Sequence, residues 1–262
     1  MDIDGTIINQ ANTISAADRE ALKQVSKAGI PVSLCTGRSF CTSLNLIRQL
    51  DLTGFHIFFD GALVCNSSLK TLYSHPISTD LLQSICRSAI EQDILIDLFT
   101  IEKYIVRRKS WRSQLRLEYF GIEAEVRDYS TVPIKEQIIK GTLALKESEN
   151  TQKVDKFIST YASFLDFSWS TIPAYPGCHF VNILDKGVSK GKAVEALAEH
   201  YNIGMDQIMA IGDGSNDISL LSCIGTAVAM GNAPEELKKI ADYVTLDVEH
   251  HGVSEIIRKL LF

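Results

Sequence analysis

Apolar positions along the chain keep two alternating rhythms. In "SAADREALKQVSKAG", Ala17, Ala21, Leu22, Val25 and Ala28 recur at helical spacing on one face. Ser15 is placed to cap that helix, Asp18 sits in its first turn, and Gly29 stops it. The continuous apolar run "IPVSLCTGR" then predicts a buried strand ending in a Thr-Gly turn. "SFCTSLNLIRQL" predicts a helix and "FHIFF" another buried strand. Strands that alternate with helices in this way build a parallel sheet with helical crossovers.

The last third has the same grammar. "SKGKAVEALAEHYNIG" is an amphipathic helix capped by Ser189, and "QIMAIGDG" is a buried strand running into a turn. Shorter strand and helix units follow through "TAVAMGNAPEELKKIADYVT" to "GVSEIIRKLL". The middle differs: a helix ("STDLLQSICRSAIEQ"), a hairpin ("ILIDLFTIEKYIVRR") and further pieces such as "GTLALK" and "FLDFSWS". Pro76, Pro173 and Pro176 lie near its two ends, as hinge linkers do. The expected architecture is α/β, a Rossmann-like parallel-sheet core interrupted by a smaller inserted α/β cap domain. Residues 1–75 and 179–262 form the core and residues 76–178 the cap.

Composition adds limits. A chain of 262 residues with 45% hydrophobic and 22% charged residues suits a two-domain globular protein. The net charge of -6 argues against nucleic acid or an anionic membrane as the main partner. The one basic run, "RRKSWR" at residues 107–112, reads as a solvated face. No apolar run approaches the ~20 residues of a membrane span, and the first residues lack the signature of a signal peptide. The six cysteines form no Cys-x-x-Cys pair and several, such as Cys35, read as small buried hydrophobes, so a reduced, cytoplasmic setting is expected.

Two acidic clusters carry the candidate chemistry. In "MDIDGTII", Asp2 and Asp4 point to the same face if they end a strand, and paired carboxylates can divide the roles of nucleophile and general acid. The alternative is an Asp-Gly turn with solvated acids. In "IMAIGDGSND", Asp213 and Asp217 follow an apolar strand, where parallel sheets collect ligands, and hard oxygen donors there suit Mg²⁺. An EF-hand starting at Asp213 would need Gly and Glu where Ile218 and Ile224 stand, and one starting at Asp2 meets Ile7 and Thr13. A dinucleotide fingerprint would need Gly in place of Asp217. Thr36, at a strand end, and Lys190, at a helix start, are donors of the kind a transferring phosphoryl group requires.

The series D-x-D-G-T, T-G-R, S-K-G-K and G-D-G-x-N-D, followed by "AVAMGNAPEELKKIADYVT", resembles the haloacid dehalogenase superfamily, and within it the Cof-type phosphatases with a large α/β cap. The resemblance implies that Asp2 attacks phosphorus and that Asp4 protonates the leaving oxygen and then activates water. It places Mg²⁺ on Asp2, the Asp4 carbonyl and Asp213, with Asp217 in or just behind that set. Thr36 and Lys190 would hold phosphoryl oxygens, with Gly37, Arg38 and Asn216 completing the substrate-binding group, and Gly5 and Thr6 would shape the turn.

Two departures stand out. The family's Asn-Gly-Ala is Asp60-Gly61-Ala62 here, which sets an acid beside a phosphate site. Only Met1 precedes the first carboxylate, so the expectation is that the natural polypeptide starts upstream and that the sheet here has a stub or gap at its centre. His250 and His251 read as exposed and His179 as structural.

The implied activity is Mg²⁺-dependent phosphomonoester hydrolysis of a small phosphorylated metabolite, such as a sugar phosphate, by a monomer or weak homodimer. A phosphomutase or phosphotransferase, or a phospho-ligand-binding protein with weak turnover, are the alternatives.

Overall fold

The computed structural model describes residues 1–129, 136–147, 151–171 and 177–262. The chain is mixed α/β and divides into two compact units. One comprises Met1–Arg38, Ser43–Ser74 and Ser189–Phe262; the other comprises Ser39–Thr42 and His75–Val188. The second unit therefore runs past the expected boundary at 178, because the strand Cys178–Asp185 is bonded into its sheet. Pro173 and Pro176 lie outside the described residues.

The first unit begins with helices α1 (Ala16–Lys27) and α2 (Phe40–Gln49), then the antiparallel strands β1 (Phe55–Phe58), β2 (Leu63–Asn66) and β3 (Thr71–Ser74). Ser15 caps α1 by accepting from the Asp18 N–H at 3.0 Å. Asp18, itself buried, accepts from the Ser254 N–H at 2.7 Å and so ties α1 to the chain's last helix.

The second unit holds α3 (Thr79–Glu91), β4 (Asp97–Phe99), β5 (Tyr104–Val106), α4 (Trp111–Phe120), β6 (Ala124–Val126), β7 (Lys140–Lys146), α5 (Gln152–Tyr161), β8 (Leu165–Thr171) and β9 (Cys178–Asp185). Its strands form one sheet in the order β6-β5-β4-β7-β9-β8. Ile85 of α3 and Phe157 of α5 pack with Leu98, Leu143, Val181 and Ile183 of the sheet in one apolar core.

Of the basic run at 107–112, Arg108 and Lys109 are exposed as a solvated face requires, and α4 corrects that reading for Arg112. Arg112 is buried and donates to the Leu95 carbonyl at 2.7 Å. One turn on, Arg116 pairs with buried Asp97 at 3.2 Å and stacks 4.9 Å from the Phe99 ring. A charged run on a helix with an apolar partner face buries whichever cations find an acceptor.

The chain returns to the first unit with α6 (Lys190–Tyr201), β10 (Met209–Gly212), α7 (Ile218–Leu221), β11 (Thr226–Ala229), α8 (Glu235–Ile240), β12 (Tyr243–Val244) and α9 (Gly252–Leu261). β10, β11 and β12 pair in parallel. Between β1 and β10 the chain is extended but not regular strand. The Ile57 N–H donates to Leu34, the Cys35 N–H to Met1, and the Asp2 N–H to Ile211, at 2.7–2.9 Å. "IPVSLCTGR" is thus reduced to an isolated bridge between Cys35 and Ile57. No helix of the described residues is long and apolar enough to cross a membrane.

Candidate active site

Asp2 stands beside β10, its N–H donating to Ile211. The chain then folds over itself: the N–H groups of Ile7 and Ile8 both donate to the Ile3 carbonyl at 2.9 Å. Gly5 makes this turn possible. Its φ is +80°, and a Cβ there would lie 2.1 Å from Asp213 Oδ2. A residue with a side chain would be both strained and in collision.

Asp213 and Asp217 come from the loop after β10. One carboxylate oxygen each from Asp2, Asp213 and Asp217 lie within 4.8 Å of one another. Asp217 is fully buried and both its oxygens are engaged: Oδ2 accepts from the N–H groups of Asp213 and Gly214 at 3.0 Å, and Oδ1 accepts from Lys190 Nζ at 2.6 Å. Lys190, at the first turn of α6, also stands 3.1 Å from Asp2 Oδ1. Ser189 sets that turn by capping α6 through the Lys192 N–H.

Burial, the Asp217 carboxylate and Asp4 push the Asp213 carboxyl up to about 7, against a hydrogen bond from Thr6 and the pull of Lys190. Burial is also the main cause that raises Asp2 above the usual carboxylate range; Lys190 opposes the shift and the neighbouring acids add to it. Burial alone would lower the Lys190 ammonium, but Asp2 and Asp217 outweigh it and hold that pKa well above its ordinary value. Three carboxylates thus share one ammonium. A small divalent cation with a preference for oxygen donors fits this charge deficit, and Asp2, Asp213 and Asp217 each bring a carboxylate oxygen to the cluster.

The other expected site residues fall as follows. The Asp4 carboxylate stands outside the cluster and is gripped by Arg38, whose Nε donates to Oδ2 at 2.7 Å and whose Nη2 donates to Oδ1. Thr36 is buried and its Oγ1 accepts from the Arg38 N–H at 3.1 Å. Gly37 lies against Asp60, and Asn216 donates to Asp60 Oδ1 at 2.9 Å. His179 is on β9 with its ring 6.3 Å from that of Trp169, and His250 and His251 are exposed.

Two supports were not legible as functional. Thr6, expected only to shape the turn, donates from Oγ1 to Asp213 Oδ1 at 2.7 Å. Asn232, after β11, donates to the Gly5 carbonyl at 2.9 Å and stands 3.3 Å from Asp213 Oδ2. The rule that ligands gather at strand ends, applied to β11 as it was to β10, points to Asn232.

The chain is 26% identical over 284 residues to the Bacillus subtilis 5-amino-6-(5-phospho-D-ribitylamino)uracil phosphatase YwtE, covering 100% of this chain and 96% of that one. It is 27% identical over 271 residues to the Arabidopsis thaliana chloroplastic endoribonuclease YBEY, of whose length it spans 46%. It shares its fold with a haloacid dehalogenase-like hydrolase from Bacteroides thetaiotaomicron, at a TM-score of 0.87 and 24% identity over 99% of this chain and 97% of that one. The profile of the haloacid dehalogenase-like hydrolases matches residues 1–257, and the chain belongs to that family.

Proposed function

We propose that the protein is a Mg²⁺-dependent phosphomonoester hydrolase acting on small phosphorylated metabolites. The observation that carries this reading is Lys190, buried between Asp2 and Asp217 in a cluster that Asp213 completes. An Asp2 oxygen attacks phosphorus in line, the bond to the leaving oxygen breaks, and the phosphoryl group rests on Asp2. Asp4 gives the leaving oxygen its proton. Asp4 then takes a proton from water as that water attacks phosphorus, releasing phosphate and restoring Asp2. Arg38 holds the Asp4 carboxylate in a fixed orientation.

Thr36 Oγ1 accepts from a backbone N–H and keeps its own proton to donate to a phosphoryl oxygen. Lys190 has two acidic neighbours and three protons, leaving one for the same purpose. Mg²⁺, held by Asp2, Asp213 and the Asp4 carbonyl, would supply charge neutralisation for the phosphate dianion. Asp217, with both oxygens engaged, orients Lys190 and the loop.

A panel of phosphorylated metabolites, assayed for release of free phosphate with Mg²⁺ present, tests the reading. Release from at least one member, lost in Asp2→Asn, is expected. Transfer to a second hydroxyl without free phosphate would make the protein a phosphotransferase instead.

A further inference from the structure

Asp60 is a buried acid in the middle of this site for which the mechanism has no use. It lies outside the cluster of Asp2, Asp213 and Asp217. Yet it touches the groups assigned above to substrate. Its N–H donates to the Thr36 carbonyl at 3.0 Å, and its Oδ1 accepts from Asn216 Nδ2 at 2.9 Å. Its carboxylate presses on Gly37, where a Cβ would lie 2.7 Å from Oδ1 and 3.0 Å from Oδ2. Its charge is also felt at Lys190, though less than that of Asp2 or Asp217. The backbone that delivers it is unusual: Phe59, Asp60 and Gly61 are all left-handed, with φ of 52°, 55° and 108°. Such strain persists where the surroundings fix a side chain in place.

Among the described residues, five carboxylates, those of Asp2, Asp4, Asp60, Asp213 and Asp217, gather here with two side-chain cations, Lys190 and Arg38. With Asp4 carrying the proton it gives the leaving oxygen, a divalent metal would bring the other four carboxylates and the two cations only to neutrality before a phosphate dianion arrives. Four of the acids have work in the proposed chemistry or in holding its metal and lysine. The fifth adds repulsion that an amide in the same place would avoid.

We infer that Asp60 positions Asn216 while weakening the site's hold on the phosphate dianion, so that product phosphate leaves readily. This rests on the phosphatase reading. Asp60 is a positioning and affinity-setting residue, and it takes no part in bond making.

The test is titration of the Mg²⁺-loaded protein with inorganic phosphate, for wild type, Asp60→Asn and Asp60→Gly. Both replacements tolerate a left-handed backbone. Asparagine keeps an oxygen to accept from Asn216 and removes only the charge. Asp60→Asn is expected to bind phosphate about tenfold tighter at low salt, the scale of one unit charge removed from a partly buried anion site. KM should fall with it and kcat should not rise. Asp60→Gly also loses the bond to Asn216, so its gain in phosphate affinity should be smaller and its kcat should fall. Equal or weaker phosphate binding by folded Asp60→Asn would overturn the inference, as would Asp60→Gly matching Asp60→Asn in both phosphate affinity and kcat. Phosphate binding by none of the three proteins would instead remove the phosphoryl site itself, and the inference with it.

Discussion

Arg38 and Asp4 form a two-pronged ion pair in which the guanidinium fork holds both carboxylate oxygens, with Nε to Oδ2 at 2.7 Å. The Arg38 side chain is 9% exposed and that of Asp4 41%, so the arginine is the fixed partner and the acid the one open to solvent. Fork geometry is what a lysine cannot reproduce. Arg38→Ala is expected to lower kcat by about 10²-fold, the cost of a misplaced reacting group. Arg38→Lys should fall between it and wild type, and Asp4→Asn should lose ~10²–10⁴-fold. Steady-state kinetics on one substrate checks the order, and wild-type kcat in Arg38→Ala would remove Arg38 from the site's function.

Lys190 and Asp217 are both completely buried, 2.6 Å apart. Removing one member of a buried pair strands the other's charge, typically at ~3–5 kcal/mol. Lys190→Met should therefore lose both turnover and about that much stability in urea unfolding. Asp217→Asn in the same background should recover part of the stability and none of the turnover. Full stability in Lys190→Met alone would show that the pair contributes nothing to the fold.

Asp213 sets a pH dependence for Mg²⁺. Its carboxyl titrates at about 7 in the metal-free fold, chiefly through burial, against 3.8 for an unperturbed group. Between those values the folded state holds a proton that the unfolded state has released. This group's contribution is therefore largest below the lower value and is lost as pH rises toward 7. A bound cation removes that loss and must displace the proton at lower pH. Mg²⁺ should raise the melting temperature more at pH 8 than at pH 5, and an equal rise at both would contradict the metal assignment of Asp213.

His56 has the opposite sign. It is fully buried in β1, its Nδ1 accepts from the Leu34 N–H at 3.2 Å, and its Nε2 has no hydrogen-bond partner among the described residues. Burial lowers its pKa from 6.5 to about 4. Above the higher value both states are neutral and the contribution is complete. As pH falls between the two, the unfolded chain takes a proton that the fold refuses, costing about 3 kcal/mol by the lower value. His56→Asn keeps an acceptor toward Leu34, so its urea stability should fall less between pH 6.5 and 4 than that of wild type. Parallel curves would assign the acid loss to other groups.

The elements were largely legible because α1, α6 and β10 carry their own caps and rhythms: Ser15 and Ser189 cap where expected, and the loop after β10 delivers Asp213. What stayed hidden depends on partners far away in the chain. Nothing near Arg116 announces Asp97, and nothing near Asn232 announces the Gly5 carbonyl. Arg38 shows the same limit: its motif marks it for the site, but its grip on Asp4 emerges only when the two loops meet. The extended residues 33–36 read as a strand from composition alone, yet strand regularity depends on a neighbour's ladder as well as on apolar residues.

The most direct test of the central claim, a nucleophilic role for Asp2, is phosphate release by Asp2→Asn. The amide is isosteric but a poor nucleophile, so the variant should fold, melt cooperatively and release no measurable phosphate from a substrate that wild type hydrolyses. Near-wild-type release by the folded variant would contradict the mechanism.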